Sequence, residues 1–257
     1  MKIFSKFAVI LSVLFVLPQG VCAQDKIEAY LGADLLSRYM WRGQHLGDVS
    51  IQPQLSVGWK GLKINAEGNI GFESKDTREL DVTLEYSKFG FNIGVTDYWT
   101  SGVDENNRYF YYPKHGPHQL EGNLGYSCKY FSLQAYSIFW GNDFKISGEQ
   151  AYSTYIELGV PFKLGGVDWE VKAGMTPFKS AGYTETTEQT LPSGVKRDVT
   201  KCYYFYAEGA ACVMASIRAT KNLDLTFAEL PVFAELHANP YLQTADLLFG
   251  VTICPFK

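Results

Sequence analysis

Asp34, Arg38 and Arg42 stand at four-residue steps near the start of the chain. In an extended strand an even spacing keeps side chains on one face, so the three form a charged row. Two chemistries suit such a row. It could be a ladder that guides an anionic solute, or its guanidinium groups could pair with carboxylates on neighbouring strands, as a confined arginine demands. The same parity gathers further charges onto polar faces: Lys63, Glu67, Asp81 and Glu85, then Glu121, Glu157 and Lys172, then Glu208 and Arg218. With Glu28, Asp168, Glu170 and Asp246 added, these faces are acidic on balance. In a water-filled interior that bias favours cations. In a narrow interior the same groups pair across it and fill it. Both readings stay open here.

Catalytic alternatives are poorly served. Nucleophilic catalysis at a lipid boundary needs a serine and a histidine within hydrogen-bond reach. His45, His115, His118 and His237 all fall in or beside one set of loops, and none has a serine at a companion position. The many carboxylates give no specific acid/base pair. His115 and His118 supply two ligands where zinc needs three plus water, or four. No catalytic residue, metal ligand or cofactor is assigned, and the chain is not expected to be an enzyme.

The elements that position these residues are strands. Leu62, Ile64, Ala66, Gly68, Ile70 and Phe72 occupy one face, and Lys63, Asn65, Glu67, Asn69 and Glu73 the other. This period of two recurs through twelve segments: 27–43, 50–59, 62–72, 79–87, 91–100, 118–127, 131–140, 151–162, 167–175, 202–220, 223–236 and 245–256. Short turns fall at Lys60-Gly61, 88–90, Lys129-Tyr130, 163–166 and Lys221-Asn222, alternating with longer loops, the largest at 101–117 and 177–201. Such a rhythm predicts an all-β, antiparallel, up-and-down transmembrane barrel of about twelve strands. With an even strand count both termini lie on the short-turn rim, which is expected to face the periplasm.

Lys2 and Lys6 precede an apolar run over 7–17, followed by Pro18, Gly20 and Val21-Cys22-Ala23. This reads as a secretory signal peptide over 1–23, cleaved after Ala23, with 24–257 as one barrel domain. Gln19 and Val21 fit poorly around a lipid-bearing Cys22. Loss of the leader takes the net charge from −4 to −6, and the absence of a basic cluster argues against nucleic-acid binding. Cys202 and Cys212 on one strand would lie about 33 Å apart at roughly 3.3 Å per residue, so no disulfide between them is expected.

All five tryptophans fall near predicted strand ends: Trp41, Trp99 and Trp140 toward the long loops, Trp59 and Trp169 toward the short turns. Two levels of amphipathic rings are the aromatic girdles of a membrane barrel. The expected location is therefore the outer membrane of a Gram-negative bacterium, with membrane lipid as a partner.

The run Ser37-Arg38-Tyr39-Met40-Trp41-Arg42-Gly43-Gln44, followed by Ile51-Gln52-Pro53-Gln54-Leu55, resembles the opening of the TorF-type porins, a bacterial outer-membrane barrel family. The resemblance covers about the first fifth of the chain after its leader and implies a pore for small solutes or ions. Barrel-assembly machinery, a further expected partner, reads a last strand that ends in an aromatic residue. Phe256 meets that pattern, and Pro255 and Lys257 depart from it. A narrow pore with an acidic lumen leads. The alternative is a non-conducting barrel that acts as scaffold or receptor through the aromatic loop 109–113 or the long loop 184–201; 109–113 is equally compatible with folding into the lumen as a constriction.

Overall fold

The computed structural model describes residues 26–73, 76, 78–190, 196–225 and 228–256. The leader expected over 1–23, its Cys22, and Lys257 lie outside these residues. Alternating sequence yields strands throughout: β1 (Glu28–Leu36), β2 (Tyr39–Trp41), β3 (Gln44–Gly47), β4 (Ser50–Trp59), β5 (Leu62–Gly71), β6 (Arg78–Lys88), β7 (Phe91–Thr100) and β8 (His118–Ser127). The second half holds β9 (Ser132–Gly141), β10 (Thr154–Leu164), β11 (Val167–Thr176), β12 (Gly182–Thr190), β13 (Lys196–Tyr204), β14 (Ala211–Leu225), β15 (Ala228–Asn239) and β16 (Thr244–Phe256).

Twelve of these form one closed barrel: β1, β4 to β11 and β14 to β16 pair antiparallel around the ring, and β1 lies between β16 and β4. Closure leaves no free sheet edge in the wall. Two small hairpins are not part of the ring: β2–β3, in the chain between β1 and β4, and β12–β13, between β11 and β14.

Polarity in the wall is inverted relative to a water-soluble core. Leu55, Ile64, Leu84, Ile93, Val95, Leu124, Leu158, Leu236 and Phe249 are exposed on the outer face, whereas Gln52, Ser56, Asn69, Thr96, Asn123 and Ser216 are buried on the inner one. Burial of a Leu-sized side chain is worth about 1.5–3 kcal/mol. An apolar belt of this extent therefore needs an apolar surrounding.

Short turns on one rim follow mirror-image turn geometry, which matches strand twist. Lys60-Gly61 has φ of 53° and 87°, and Phe89-Gly90 has 55° and 85°. The expected turn at Lys221-Asn222 is overturned: both residues sit inside β14, opposite Val232 and Pro231. The alternation of Asn222 and Asp224 with Leu223 and Leu225 carries the hairpin further, so that β14 reaches Leu225.

Two other boundaries are corrected. The first strand does not run over 27–43, because β1 ends at Leu36 and the chain turns inward after Ser37, whose amide donates to the Phe249 carbonyl (2.9 Å). The segment 202–220 is likewise not one strand. Cys202 belongs to β13, opposite Thr184, and β14 begins at Ala211 after a break at 205–210. Cys202 and Cys212 thus lie on different elements, and the extended-strand distance between them does not apply.

Candidate functional site: a hairpin across the lumen

Arg42 and Gly43 form a tight turn, with φ of 48° and 85°, that folds β2 back onto β3. The hairpin crosses the barrel at the long-loop rim and is fastened to strands around the ring. Arg38 pairs with Asp246 of β16. The Tyr39 hydroxyl donates to Glu79 of β6 (2.7 Å), and Arg42 binds Glu121 of β8 through both terminal nitrogens (2.6 and 2.7 Å). On β15, the Gly43 amide donates to His237 Nε2 (3.0 Å), and Asn239 Nδ2 donates to the Gly43 carbonyl (3.0 Å). Because Nε2 accepts there, the His237 proton sits on Nδ1, facing Glu235 at 3.2 Å. No side chain larger than hydrogen fits at Gly43, where a Cβ would run into the Val213 carbonyl.

Arg42 is the centre of this arrangement. Its charged group also donates to the Tyr206 hydroxyl (2.8 Å), and Tyr98 donates to Glu121 (2.8 Å). The guanidinium carbon lies 4.4 Å from the Trp41 ring centre, 4.2 Å from Tyr136 and 5.0 Å from Tyr155. Cation–π contacts strengthen in such a desolvated setting. Tyr155, Tyr206, Ala207, Val213 and Met214 are buried together, with Trp41, Tyr136 and Phe205 packed against them. The 205–210 segment and the hairpin thus fill one side of the lumen at this rim.

Beneath the hairpin is a cavity of about 500 Å³, walled by Asp34, Glu67 and Asp81 on one side and by Glu157, Lys172, Arg218 and Glu235 on the other. A second space of about 590 Å³, lined by Glu85, Asn92, Asn123 and Gln134, shares Thr83, Thr96, Tyr136, Glu157 and Lys172 with it. The two therefore adjoin, and the second extends toward the turn rim, where Lys63 faces Glu85 across β5 and β6. Charges on the second wall are paired: Arg218 Nε donates to Glu235 (2.7 Å), and Lys172 lies 3.4 Å from Glu157 and 3.6 Å from Glu170. On the first wall Glu67 and Asp81 are cross-strand partners, so like charges stand side by side facing the cavity.

Several sequence-based positions change. Asp34 stays in the barrel wall while Arg38 and Arg42 leave it, so the three do not form one row along a strand. Glu208 lines no lumen wall. It lies in the segment between β13 and β14, where its amide donates to the Tyr241 hydroxyl (3.2 Å). Trp41 belongs to the lumenal hairpin, in contact with Tyr98, Phe205 and Tyr206, and not to a girdle. Trp59 is half exposed at the turn rim, and Trp169 stacks on Phe162 there. At the long-loop rim Trp99 meets Tyr109, and Trp140 meets Tyr112. Tyr39, Glu79, Tyr98, Tyr136, Tyr155 and Tyr206 were missed. For Tyr98, Tyr136 and Tyr155 the signal was available, because each shares the inward parity of its strand's polar residues.

The 101–117 loop lies against the outer end of β7–β9. Tyr112 stacks on His118 (3.8 Å between ring centres), and His118 shares its outward row with Gly122 and Leu124. His118 is fully buried, with Nδ1 against Asp97 (2.7 Å) and Nε2 against the Tyr109 carbonyl (2.5 Å). Nε2 thus holds the loop, and Nδ1 ties the ring to β7. At the opposite rim three successive turns place a lysine ammonium over an adjacent ring: Lys60 on Trp59 (4.8 Å), Lys88 on Phe89 (5.1 Å) and Lys129 on Tyr130 (4.7 Å).

Neither a protein-family model nor a curated protein matches the chain. A solved structure from work on the mechanism behind the in-meso crystallization of membrane proteins aligns over 88% of this chain and 82% of its own, at 8% identity and a TM-score of 0.41. The barrel assignment rests on the strand pairing itself.

Proposed function

We propose that the chain is an outer-membrane barrel of a Gram-negative bacterium that provides a narrow, cation-biased passage for small solutes or ions, restricted by its lumenal hairpin. The observation that carries this reading is the pair of adjoining polar cavities between the turn rim and the hairpin, the upper one walled by Asp34, Glu67 and Asp81. Fixed acidic groups beside a narrow path favour cations. Membrane residence is supported by the exposed apolar belt, and the lysine-on-aromatic turns suit anionic headgroups. The likeness of residues 37–44 and 51–55 to TorF-type porins points the same way. Biogenesis through barrel-assembly machinery belongs to this reading.

The fastening of the hairpin to β6, β8, β15 and β16 favours a second reading, a plugged barrel serving as scaffold or receptor. Planar-bilayer recordings of the purified protein in a salt gradient separate the two. A small steady conductance with a cation-selective reversal potential is expected, and the Glu67→Gln, Asp81→Asn double variant should move that potential toward zero. Silence from wild type and from a variant with residues 38–47 replaced by a short glycine-serine link, both inserted, rejects the passage and leaves the scaffold.

A further inference from the structure

Withdrawal of the hairpin from the lumen removes Arg42 and Trp41 and leaves the rest of their surroundings in place. What remains is Glu121, 1% exposed while Arg42 covers it, with two oxygens set for a bidentate fork, the hydroxyl of Tyr206, and the faces of Tyr136 and Tyr155. Tyr98 holds one Glu121 oxygen in position from the β7 side. Carboxylate fork, hydroxyl acceptor and aromatic faces together match a planar, delocalised cation with several in-plane donors. A compact ammonium meets the charge and one acceptor but neither the fork nor the stacking surface.

We propose that this pocket is a binding site for small guanidinium solutes, which Arg42 occupies from within the same chain, and that such solutes compete with Arg42 and release the hairpin. The inference rests on the reading of the lumen as a passage and names the solute class that acts on it. The driving force is the buried carboxylate. Hairpin release without a replacement cation takes from Glu121 its bidentate partner, whereas a bound guanidinium keeps it paired. A ligand that binds only the released state raises that state's population in proportion to one plus its concentration over its dissociation constant. The site and the plug are thereby linked, and opening responds to the ligand's concentration.

Hydrogen exchange of the full chain folded into phospholipid vesicles tests this, with methylguanidinium, methylammonium and N-methylurea added separately at matched ionic strength. The amides of 39–47 are expected to exchange faster with methylguanidinium, by roughly tenfold at ten times its dissociation constant, while β8 and β15 keep their protection. Methylammonium should act weakly, and N-methylurea, of similar shape without charge, should not act. Glu121→Gln should abolish the response. Equal exchange with and without methylguanidinium overturns the site, as does equal acceleration by all three probes or an undiminished response in Glu121→Gln. The readout is hairpin release and not current. A silent barrel that responds therefore rejects the passage and keeps the site, and a conducting barrel that ignores methylguanidinium does the reverse.

Discussion

At the scale of single residues, the Arg42–Glu121 pair decides where the hairpin sits. Each partner is almost wholly withdrawn from solvent, at 8% and 1% side-chain exposure. A buried pair contributes little over an apolar substitute, yet removal of one partner costs about 3–5 kcal/mol because the other charge is left uncompensated. Arg42→Ala is expected to lower the unfolding free energy of the barrel in vesicles by an amount of that order, read as a lower urea midpoint, and addition of Glu121→Gln should recover much of it. An unchanged midpoint for Arg42→Ala would show that Glu121 finds another cation or that the hairpin is not seated on it. The need of Arg42 for a carboxylate was legible in the sequence, because a guanidinium in a confined interior requires one. The identity of the partner, 79 residues away, was not, because it depends on where the chain leaves the wall. Asp34, Arg38 and Arg42 keep one parity across Leu36, and Arg-Gly is a far weaker turn signal than Asn-Gly.

At the scale of elements, the long loops do different jobs. The 101–117 loop is fixed to the wall by two aromatic rings and a buried histidine, while β12–β13 stands apart from the ring as its own ladder. Desolvation and a hydrogen bond to Asp97 (2.8 Å) push the Tyr112 phenol above its ordinary range. A pKa raised on folding contributes stability that is fully present below the unfolded value, near 10 for tyrosine, and is lost as pH rises through the folded one. Protease resistance of the loop should therefore be constant through neutral pH and decline only at strongly alkaline pH. In Tyr112→Phe, which lacks the phenol proton, that alkaline decline should be blunted. A decline at the same pH in both proteins would assign it to another group. The sequence read this loop as free to line the lumen or meet a partner, because five apolar and aromatic residues in a row carry no information on which side of the wall they fold. Strand count was legible, since the period of two survives every turn. The error at Lys221-Asn222 came from reading a lysine and an asparagine as a stop, although Leu223 and Leu225 keep the alternation beyond them.

At the scale of the whole molecule, inverted polarity is the property on which membrane residence depends. Val95 lies near the middle of β7 on the exposed apolar face, and Thr96, next to it, is buried on the inner face. Val95→Arg is expected to cost about 2–4 kcal/mol in a bilayer, read as reduced folded yield in vesicles by heat-modifiable mobility. The same substitution should matter far less in detergent micelles, and equal behaviour in the two would argue that the belt faces no bilayer. The belt was legible from sequence for the same reason as the strands, because parity alone sorts outward from inward residues once the ring is closed. Parity cannot say what occupies the centre. The hairpin follows directly on β1, the strand that meets β16 to complete the ring, and Arg38 finds its partner Asp246 on that last strand, 208 residues along the chain. Contacts of such separation carry the largest loop-closure entropy. The seam that closes the wall, between β1 and β16, is therefore also where its obstruction is tied, so that wall and centre share one joint.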